Sequence, residues 1–437
     1  MSQITITDDM KKAVELIETT DQHIFITGKA GTGKTTFLRY IVRNTNKKFV
    51  ISASTGIAAI NAGGVTLHSL LRIPLGVLAP DAPIKGILPR DKFMLLNEID
   101  ALIIDEVSMV RPDVLDFVDR RLRQVRGSEK PFGGIQIIMF GDLYQLPPVV
   151  KGEEANILAN FYDGFYFFNA LVFKEVGFNV IELNHIFRQS DPRFIEILNN
   201  IRSYQVTEDD IEDLSALRSK YMSEQYNTTA IHICTHRRDV ERINKSLLGE
   251  VTHSFEAKIE KEFNIGHAPC DQELHLRVGA RVMTLVNNRT QGYYNGSLGE
   301  VLEITDDKIK VLLDNGCEAI IEKFTWEACE YALEQGKVVK KVKGTCTQFP
   351  LTLAWAITIH KSQGLTFDNI VIHTKGVFCP GQIYVALSRC TSMEGVISDS
   401  FISKRHILPD KDLMAFENAY KQTNYYFSNE TQKLMIK

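Results

Sequence analysis

The sequence predicts an α/β protein of two units, each built on a parallel sheet, with a small excursion in the first and an antiparallel β module inserted in the second. Three observations carry this. Apolar runs such as Ile24-Phe25-Ile26, Ala101 to Ile104 and, broken only by Gln136, Ile135 to Phe140 alternate with amphipathic stretches, as strands buried on both faces of a parallel sheet require. Gly28-Lys29-Ala30-Gly31-Thr32-Gly33-Lys34-Thr35 fits the phosphate-binding pattern G-x-x-x-x-G-K-[ST] between a strand and a helix. A length of 437 residues exceeds one ordinary domain.

Taken in order, Thr7 N-caps a first helix with Ala13, Val14, Leu16 and Ile17 as its apolar stripe. The strand at Ile24, the phosphate loop and a helix from Thr35 to Val42 follow. Phe49 to Ala53 is a second strand, delivering Ser54 to Ile60 into a short helix and then Thr66 to Leu70. Between Arg72 and Arg90, Pro74, Pro80, Pro83 and Pro89 forbid a long regular element. The pattern resumes with the strand ending at Asp105-Glu106, a helix through Val114, Leu115, Val118 and Leu122 that carries Arg120, Arg121, Arg123 and Arg126, and the strand ending at Gly141-Asp142. Val180 to Leu183 closes the first unit. The second has a helix from Arg193 to Ile201, a strand Ala230 to Cys234, a helix from about Arg237 to Leu248, a strand Ile370 to His373 and a helix Gln382 to Leu387. Within it, residues 298–348 carry short strand patterns, and Asn315-Gly316 between two of them is a strong hairpin signal.

Composition narrows the class. Hydrophobic content of 44% and charged content of 24% describe a globular chain with ample core, and no run approaches the ~20 apolar residues of a membrane span. Met1 to Met10 has acids and no apolar h-region, so no secretory signal is expected. Seven scattered cysteines without C-x-x-C pairs favour free thiols in a reducing compartment, so a cytoplasmic location is expected, on the nucleoid if the host is bacterial. The net charge of −4 excludes a basic nucleic-acid coat but not a local positive groove.

The chemistry-bearing residues are these. Glycines let the backbone amides of the loop close round a polyphosphate, with the helix dipole aimed at the same anion. Gly28, Ala30, Gly31, Thr32, Gly33, Lys34, Thr35 and Thr36 are therefore the expected nucleotide-binding residues, with Lys34 on the β and γ phosphates and Thr35 on Mg²⁺. Asp105 is suited to hold hydrated Mg²⁺ and Glu106 to polarise the attacking water, the two tasks that phosphoanhydride hydrolysis needs. Two acids at a strand end could equally cap the next helix. Gln145 is suited to contact the γ-phosphate or its water, although a lone Gln there is more often a turn residue.

The series Gly28 to Thr35, Ser54 to Leu70, Asp105-Glu106, Gly141 to Pro148, Phe187-Arg188-Gln189, Ile359 to Gly364 and Val385 to Arg389 resembles superfamily-one helicases. Within them it most resembles the Pif-type DNA helicases of the 5′-to-3′ branch, and the segment Asp116 to Gly134 is similar to that family's own signature. The resemblance covers roughly Asp8 to Thr391. It implies two RecA-like P-loop domains with ATP between them: a first of residues 1–71 and 90–186, a wedge-like insertion of 72–89, a second of 187–297 and 349–437, and an SH3-like barrel of 298–348. It implies that Arg188 and Arg389 reach the γ-phosphate across the cleft and that Gly364 lies beside the phosphates or ribose. Thr55, Thr66 and His68 on the first domain, Arg72 at the start of the insertion, and Thr358, His360 and Lys361 on the second domain, match positions that grip a single strand; the alternative is that they merely cap helices.

What the resemblance implies is an ATP- and Mg²⁺-dependent translocase on single-stranded DNA that opens tailed duplex, with G-quadruplex DNA as a further substrate of the family and roles in DNA repair, recombination and telomere maintenance. It implies a monomer, with a dimer on DNA as the other arrangement, and no membrane partner. Two alternatives stay open: an RNA or RNP translocase, and a nucleotide-switched DNA-binding ATPase that does not unwind. The tract Lys337 to Lys343 is either a DNA-touching face or a solvated guard on an edge strand. One departure stands out. Met10 occupies the slot where the family carries an adenine-recognising glutamine, and a thioether can pack on a purine but cannot read its edge.

Overall fold

The computed structural model describes residues 5–419, apart from 75, 85, 151, 223–229, 266–267, 289 and 335–336, and leaves out the side chains of 220, 222, 329–334 and 337–340. The first unit opens with helix α1 (Asp8–Thr19), where the Thr7 hydroxyl accepts the Met10 N–H at 3.4 Å as the expected N-cap. Strand β1 (Ile24–Gly28), α2 (Lys34–Asn44), β2 (Phe49–Ala53), α3 (Gly56–Ala62), β3 (Val65–Thr66) and α4 (Leu67–Leu71) follow. Then come α5 (Arg90–Glu98), β4 (Ala101–Asp105), α6 (Pro112–Arg126), β5 (Gln136–Phe140), α7 (Gly152–Leu158), α8 (Leu171–Val176) and β6 (Asn179–Leu183).

The six strands form a parallel sheet in the order β3-β2-β4-β5-β1-β6. Its central strands are apolar throughout because both faces are covered. On one face, Ala13 and Ile17 of α1 and Phe37, Leu38 and Ile41 of α2 pack with Ile24, Ile26, Ile103 and Ile138. On the other, Leu95 and Leu96 of α5 and Leu115, Val118 and Leu122 of α6 pack with Phe25, Leu102, Ile104, Ile137 and Met139. The alternation of strand residues between faces sorts them this way. Met10 belongs to the first of these clusters and is only 3% exposed, so it is a core residue of α1 and is not presented to a ligand. That corrects the expectation that its thioether is available to pack on a purine.

Among its described residues, the excursion 72–89 has neither helix nor strand. Its carbonyls are held by the arginines of α6 and its approach. Arg120 donates to Ala79 and Ala82, Arg121 Nη1 to Gly86 at 3.0 Å, and Arg111 Nη2 to Gly76 at 2.5 Å, while Asp113 Oδ2 accepts the Leu78 N–H at 3.0 Å. Proline-rich chain leaves its carbonyls without ladder partners, and a row of guanidiniums satisfies them. Arg111, Arg120 and Arg121 thus clamp the excursion, while Arg126 holds the carbonyls of Leu96 and Ile99 at the end of α5.

The second unit has α9 (Pro192–Arg202), α10 (Glu208–Met222), β7 (Ile231–Cys234) and α11 (Arg237–Leu248). An antiparallel region follows: β8 (His253–Glu256), β9 (Lys258–Lys261), β10 (Glu273–Leu276), β11 (Arg281–Thr284), β12 (Leu298–Ile304), β13 (Lys308–Leu313), β14 (Glu318–Glu322), β15 (Phe324–Glu334), β16 (Lys337–Gln348) and β17 (Leu351–Leu353). The chain then returns through β18 (Ala356–Thr358), β19 (Ile370–Ile372), α12 (Gln382–Leu387) and β20 (Val396–Ser398), and a second parallel sheet runs β18-β7-β19-β20.

Gly316, at φ 82°, makes the turn between β13 and β14 that Asn-Gly predicts. The antiparallel region is larger than the 298–348 expected. It begins at His253, where β8 pairs with β10; β9 pairs with β16, and β11 pairs with both β12 and β17 in a sheet β14-β13-β12-β11-β17. Strand β15 lies against α5 of the first unit. The tract Lys337 to Lys343 runs along β16; its side chains 337–340 lie outside the described residues, and Lys343 pairs with Glu262 at 3.3 Å. Among the described residues, no helix is long and apolar enough to cross a membrane.

Candidate active site between the two sheets

The carboxyl edge of the first sheet collects the expected residues. Parallel register sets Ala53 opposite Asp105 and Ile104 opposite Met139, and the Gly141 N–H donates to Ile26 at 3.2 Å, so four strand ends finish at one level. In the loop after β1, Gly31 (φ 84°) and Gly33 (φ 78°) are left-handed, and a Cβ at Gly31 would sit 2.7 Å from the Arg188 Cβ. No side chain caps α2, which leaves its first-turn amides for an anion. Lys34 Nζ donates to the carbonyls of Gly28 (2.7 Å) and Lys29 (3.0 Å). Burial lowers its pKa, against the pull of Asp142 and Glu106.

Asp105 closes β4, and burial first, then the neighbouring Glu106, pushes its carboxyl well above the usual range. The Glu106 N–H donates to Asp105 Oδ1 at 2.9 Å. Glu106 sits at φ 51°, a conformation that costs a non-glycine residue energy and that recurs at functional sites. Its carboxyl is also raised by burial, while Lys34 and Arg389 hold it down. Among the described residues, no three His, Cys, Asp or Glu side chains gather to hold a metal by themselves. Thr35 and Asp105 offer hard oxygens, which fits Mg²⁺, an ion that takes one or two protein oxygens and completes its shell from phosphates and water.

The second unit supplies the opposite wall. Arg188 Nη1 donates to the Ser388 carbonyl at 3.0 Å, and Gln189 Nε2 to Ser388 (3.0 Å) and Cys390 (3.1 Å). Arg389, 1% exposed, donates to Val385 O at 2.9 Å, Ser388 Oγ at 2.8 Å and Ser362 O at 3.4 Å. Burial, then Arg188, pushes its guanidinium down to about 9, with Glu106 opposing. Lys34, Glu106, Arg188 and Arg389 therefore share one electrostatic neighbourhood. Gln145 lies beside it, its Nε2 donating to Asp142 (3.3 Å) and its Oε1 accepting from Gln363 of the second unit (3.3 Å). Gly364, at φ 77°, follows that Gln363 and borders a polar cavity of about 610 Å³ shared with Tyr294 and Asn295.

Three residues were not picked out by sequence reasoning. Asp142, fully buried, accepts from Gln145, from Tyr384 Oη (3.2 Å) and from Arg202 Nε (3.4 Å). Tyr384 Oη in turn accepts the Ala30 N–H at 2.9 Å. Phe187, 47% exposed, donates its N–H to Gly31 O at 2.9 Å and lays its ring beside Gly33. Phe187 and Asp142 lie inside motifs that the sequence displays, but nothing local singles them out.

The strand-gripping candidates divide in two. Thr55 and Thr66 do cap helices, their hydroxyls accepting the N–H groups of Ala58 (3.2 Å) and Ser69 (3.2 Å), while the Thr358 hydroxyl accepts that of Lys361 (3.1 Å) in the turn after β18. A capping hydroxyl keeps its own proton, so the cap leaves it chemically able to donate to a phosphate. Thr55 and His68 line one cavity of about 270 Å³ with Leu67 and Arg111. Arg72 is exposed in a left-handed cap of α4, Lys361 is exposed, and burial lowers the His360 pKa.

The fold and this site define a P-loop nucleotide hydrolase whose cleft lies between two RecA-like sheets. The PIF1-like helicase family model matches residues 2–211. The ATP-dependent DNA helicase Pif1 of Bdellovibrio bacteriovorus is 31% identical over 432 residues, covering 96% of this chain and 92% of its own. The ATP-dependent DNA helicase PIF1 of Danio rerio is 35% identical over 408 residues, 90% of this chain, which spans only 61% of that longer protein. The structure of a Bacteroides Pif1 in complex with ADP-AlF4 superposes with a TM-score of 0.92 at 54% identity, covering 96% of this chain and 98% of that one. The Bacteroides Pif1 structure bound to single-stranded DNA gives 0.72 at 53% identity, covering 97% and 98%. The chain belongs to the PIF1-like helicase family, a family of ATP-dependent DNA helicases.

Proposed function

We propose that this chain hydrolyses ATP to move 5′ to 3′ along single-stranded DNA and to open the duplex ahead of it. The observation that carries this reading is the meeting of Lys34 and Glu106 from one sheet with Arg188 and Arg389 from the other at one interface. A cleft whose two walls both face the transferring phosphate couples turnover to domain movement, which a motor requires.

In this reading Lys34 and the amides of Gly31 to Thr36 hold the phosphates. Thr35 and Asp105 would hold Mg²⁺, which when bound neutralises charge on the phosphate oxygens. Glu106 takes the proton of the attacking water, Gln145 orients that water after leaving Gln363, and the two arginines neutralise the transferring group. Phe187 offers a flat apolar shelf for the base, a role that Met10 in the core does not fill. Thr55, Thr66, His68 and Arg72 on one side and Thr358, His360 and Lys361 on the other bind phosphates without reading sequence. The clamped 72–89 segment is the wedge. Tailed duplex and G-quadruplex DNA are the structures opened, by a monomer or by two copies on one DNA. The place of action is the cytoplasm, on the nucleoid in a bacterial host.

The test is ATP hydrolysis with and without an oligonucleotide. Single-stranded DNA should stimulate turnover, and Lys34→Ala should abolish it. Stimulation by RNA alone, or turnover surviving Lys34→Ala, contradicts the reading.

A further inference from the structure

The interface holds a connection that neither arginine makes. Tyr384 lies on α12, is buried, and its single hydroxyl touches two elements of the first unit. It accepts the Ala30 N–H of the phosphate loop at 2.9 Å and donates to the Asp142 carboxylate at the end of β5 at 3.2 Å. Asp142 is fixed from further sides by Arg202 Nε (3.4 Å) and Gln145 Nε2 (3.3 Å). The start of α12 is pressed against the same loop, since a Cβ on Gly381 would lie 2.3 Å from the Gln145 carbonyl oxygen. The far end of the helix leads straight to Ser388, whose carbonyl receives Arg188, and to Arg389.

We infer that Tyr384 is a positioning residue that registers α12, and with it Arg188 and Arg389, against the phosphate loop. This rests on the reading that ATP is hydrolysed in this cleft, and it adds which contact sets the alignment. The hydroxyl must be neutral to accept one hydrogen bond while donating another. Burial, and next the Asp142 carboxylate, raise its pKa and keep it so. An amide of the phosphate loop is thereby tied to the helix that leads into Ser388, on which Arg188 rests, and Arg389. A phenyl ring in place of the phenol keeps the packing and removes only the tie.

The registration matters in the transition state, where the arginines must meet charge as it develops. It matters little for ground-state nucleotide held by the loop alone. Tyr384→Phe should therefore lower kcat for DNA-stimulated ATP hydrolysis roughly ten- to hundredfold, the range for losing a hydrogen bond to a charged group. KM for ATP and the affinity for a fluorescent nucleotide should stay within twofold of the parent. Asp142→Asn and the double variant complete a cycle, and the two losses should be non-additive. An unchanged kcat in Tyr384→Phe, or a loss carried entirely by nucleotide affinity, overturns the inference. Lys34→Ala run beside these separates the two levels. If the parent shows no turnover, or Lys34→Ala keeps it, the site itself is wrong. If the parent turns over, Lys34→Ala does not and Tyr384→Phe matches the parent, only the role of Tyr384 fails.

Discussion

Arg188 donates from Nη1 to the carbonyl oxygen of Ser388 at 3.0 Å, one residue before Arg389, so one guanidinium rests on the support of the other. The two candidates for the transferring phosphate are therefore a unit and not two independent reporters. Arg188→Ala and Arg389→Ala should each leave nucleotide binding within a few-fold and lower turnover by about 10³-fold or more, the range of such fingers. The double variant should lose little beyond either single change, as residues acting together do. Turnover numbers beside nucleotide affinities check this.

Glu106→Gln keeps shape and removes the charge that faces Lys34 and Arg389. Hydrolysis should fall at least about 10²-fold, the contribution of a positioned general base, while nucleotide and DNA binding persist. Unchanged turnover would instead favour a nucleotide-switched binder in which another group activates the water.

Asp116 and Asp119 test the scaffold. Asp116 accepts the N–H groups of Leu171 (3.0 Å) and Val172 (2.9 Å) at the start of α8, and Asp119 accepts that of Phe132 (2.5 Å) while holding Arg123 (2.8 Å). Alanine at either position strands buried donors, each costing about 1–3 kcal/mol. Denaturant titration should show losses of that order, without a matching change in KM for ATP.

His23 gives a pH signature of stability. Its Nδ1 accepts the Ile137 N–H at 3.1 Å, its ring meets Phe132 edge-on at 5.1 Å, and burial lowers its pKa to about 4. The folded pKa lies below the unfolded value of 6.5, so between the two the unfolded chain binds the extra proton. This contribution is complete above pH 6.5 and is lost as pH falls toward 4, by at most about 1.4 kcal/mol per pH unit. His23→Gln should flatten the fall of unfolding free energy between pH 7 and 5 relative to the parent. An equal slope in both proteins would mean that the imidazole takes up its proton equally in the folded and unfolded chain.

Much of this was legible in the chain because it is local. The phosphate loop, Asp105-Glu106, the hairpin at Asn315-Gly316 and the Thr7 cap each declare themselves within a few residues. The structure added what is distant in sequence. Tyr384 and Ala30 stand 354 positions apart, and no periodicity announces that a phenol will meet a loop amide. The arginines of α6 were visible as charge, but Arg120 and Arg121 partner carbonyls of the excursion, which any sequence supplies equally, while Arg123 and Arg126 turn to Asp119 and to the end of α5. Thr55 and Thr66 read as either caps or phosphate ligands, and the geometry gives them the cap while leaving the hydroxyl proton to donate. Met10 read as a substituted ligand because its slot was compared with a motif; its place on the buried stripe of α1 makes it core.

The central claim, that closure of this cleft drives movement in one direction along a DNA strand, is tested most directly by unwinding of one duplex carrying either a 5′ or a 3′ single-stranded tail, with ATP and with the Lys34→Ala chain as control. The 5′-tailed substrate should open in the presence of ATP, the 3′-tailed and blunt forms should not, and the control should open none. Efficient opening of the 3′-tailed duplex, or hydrolysis without any opening, would contradict the account.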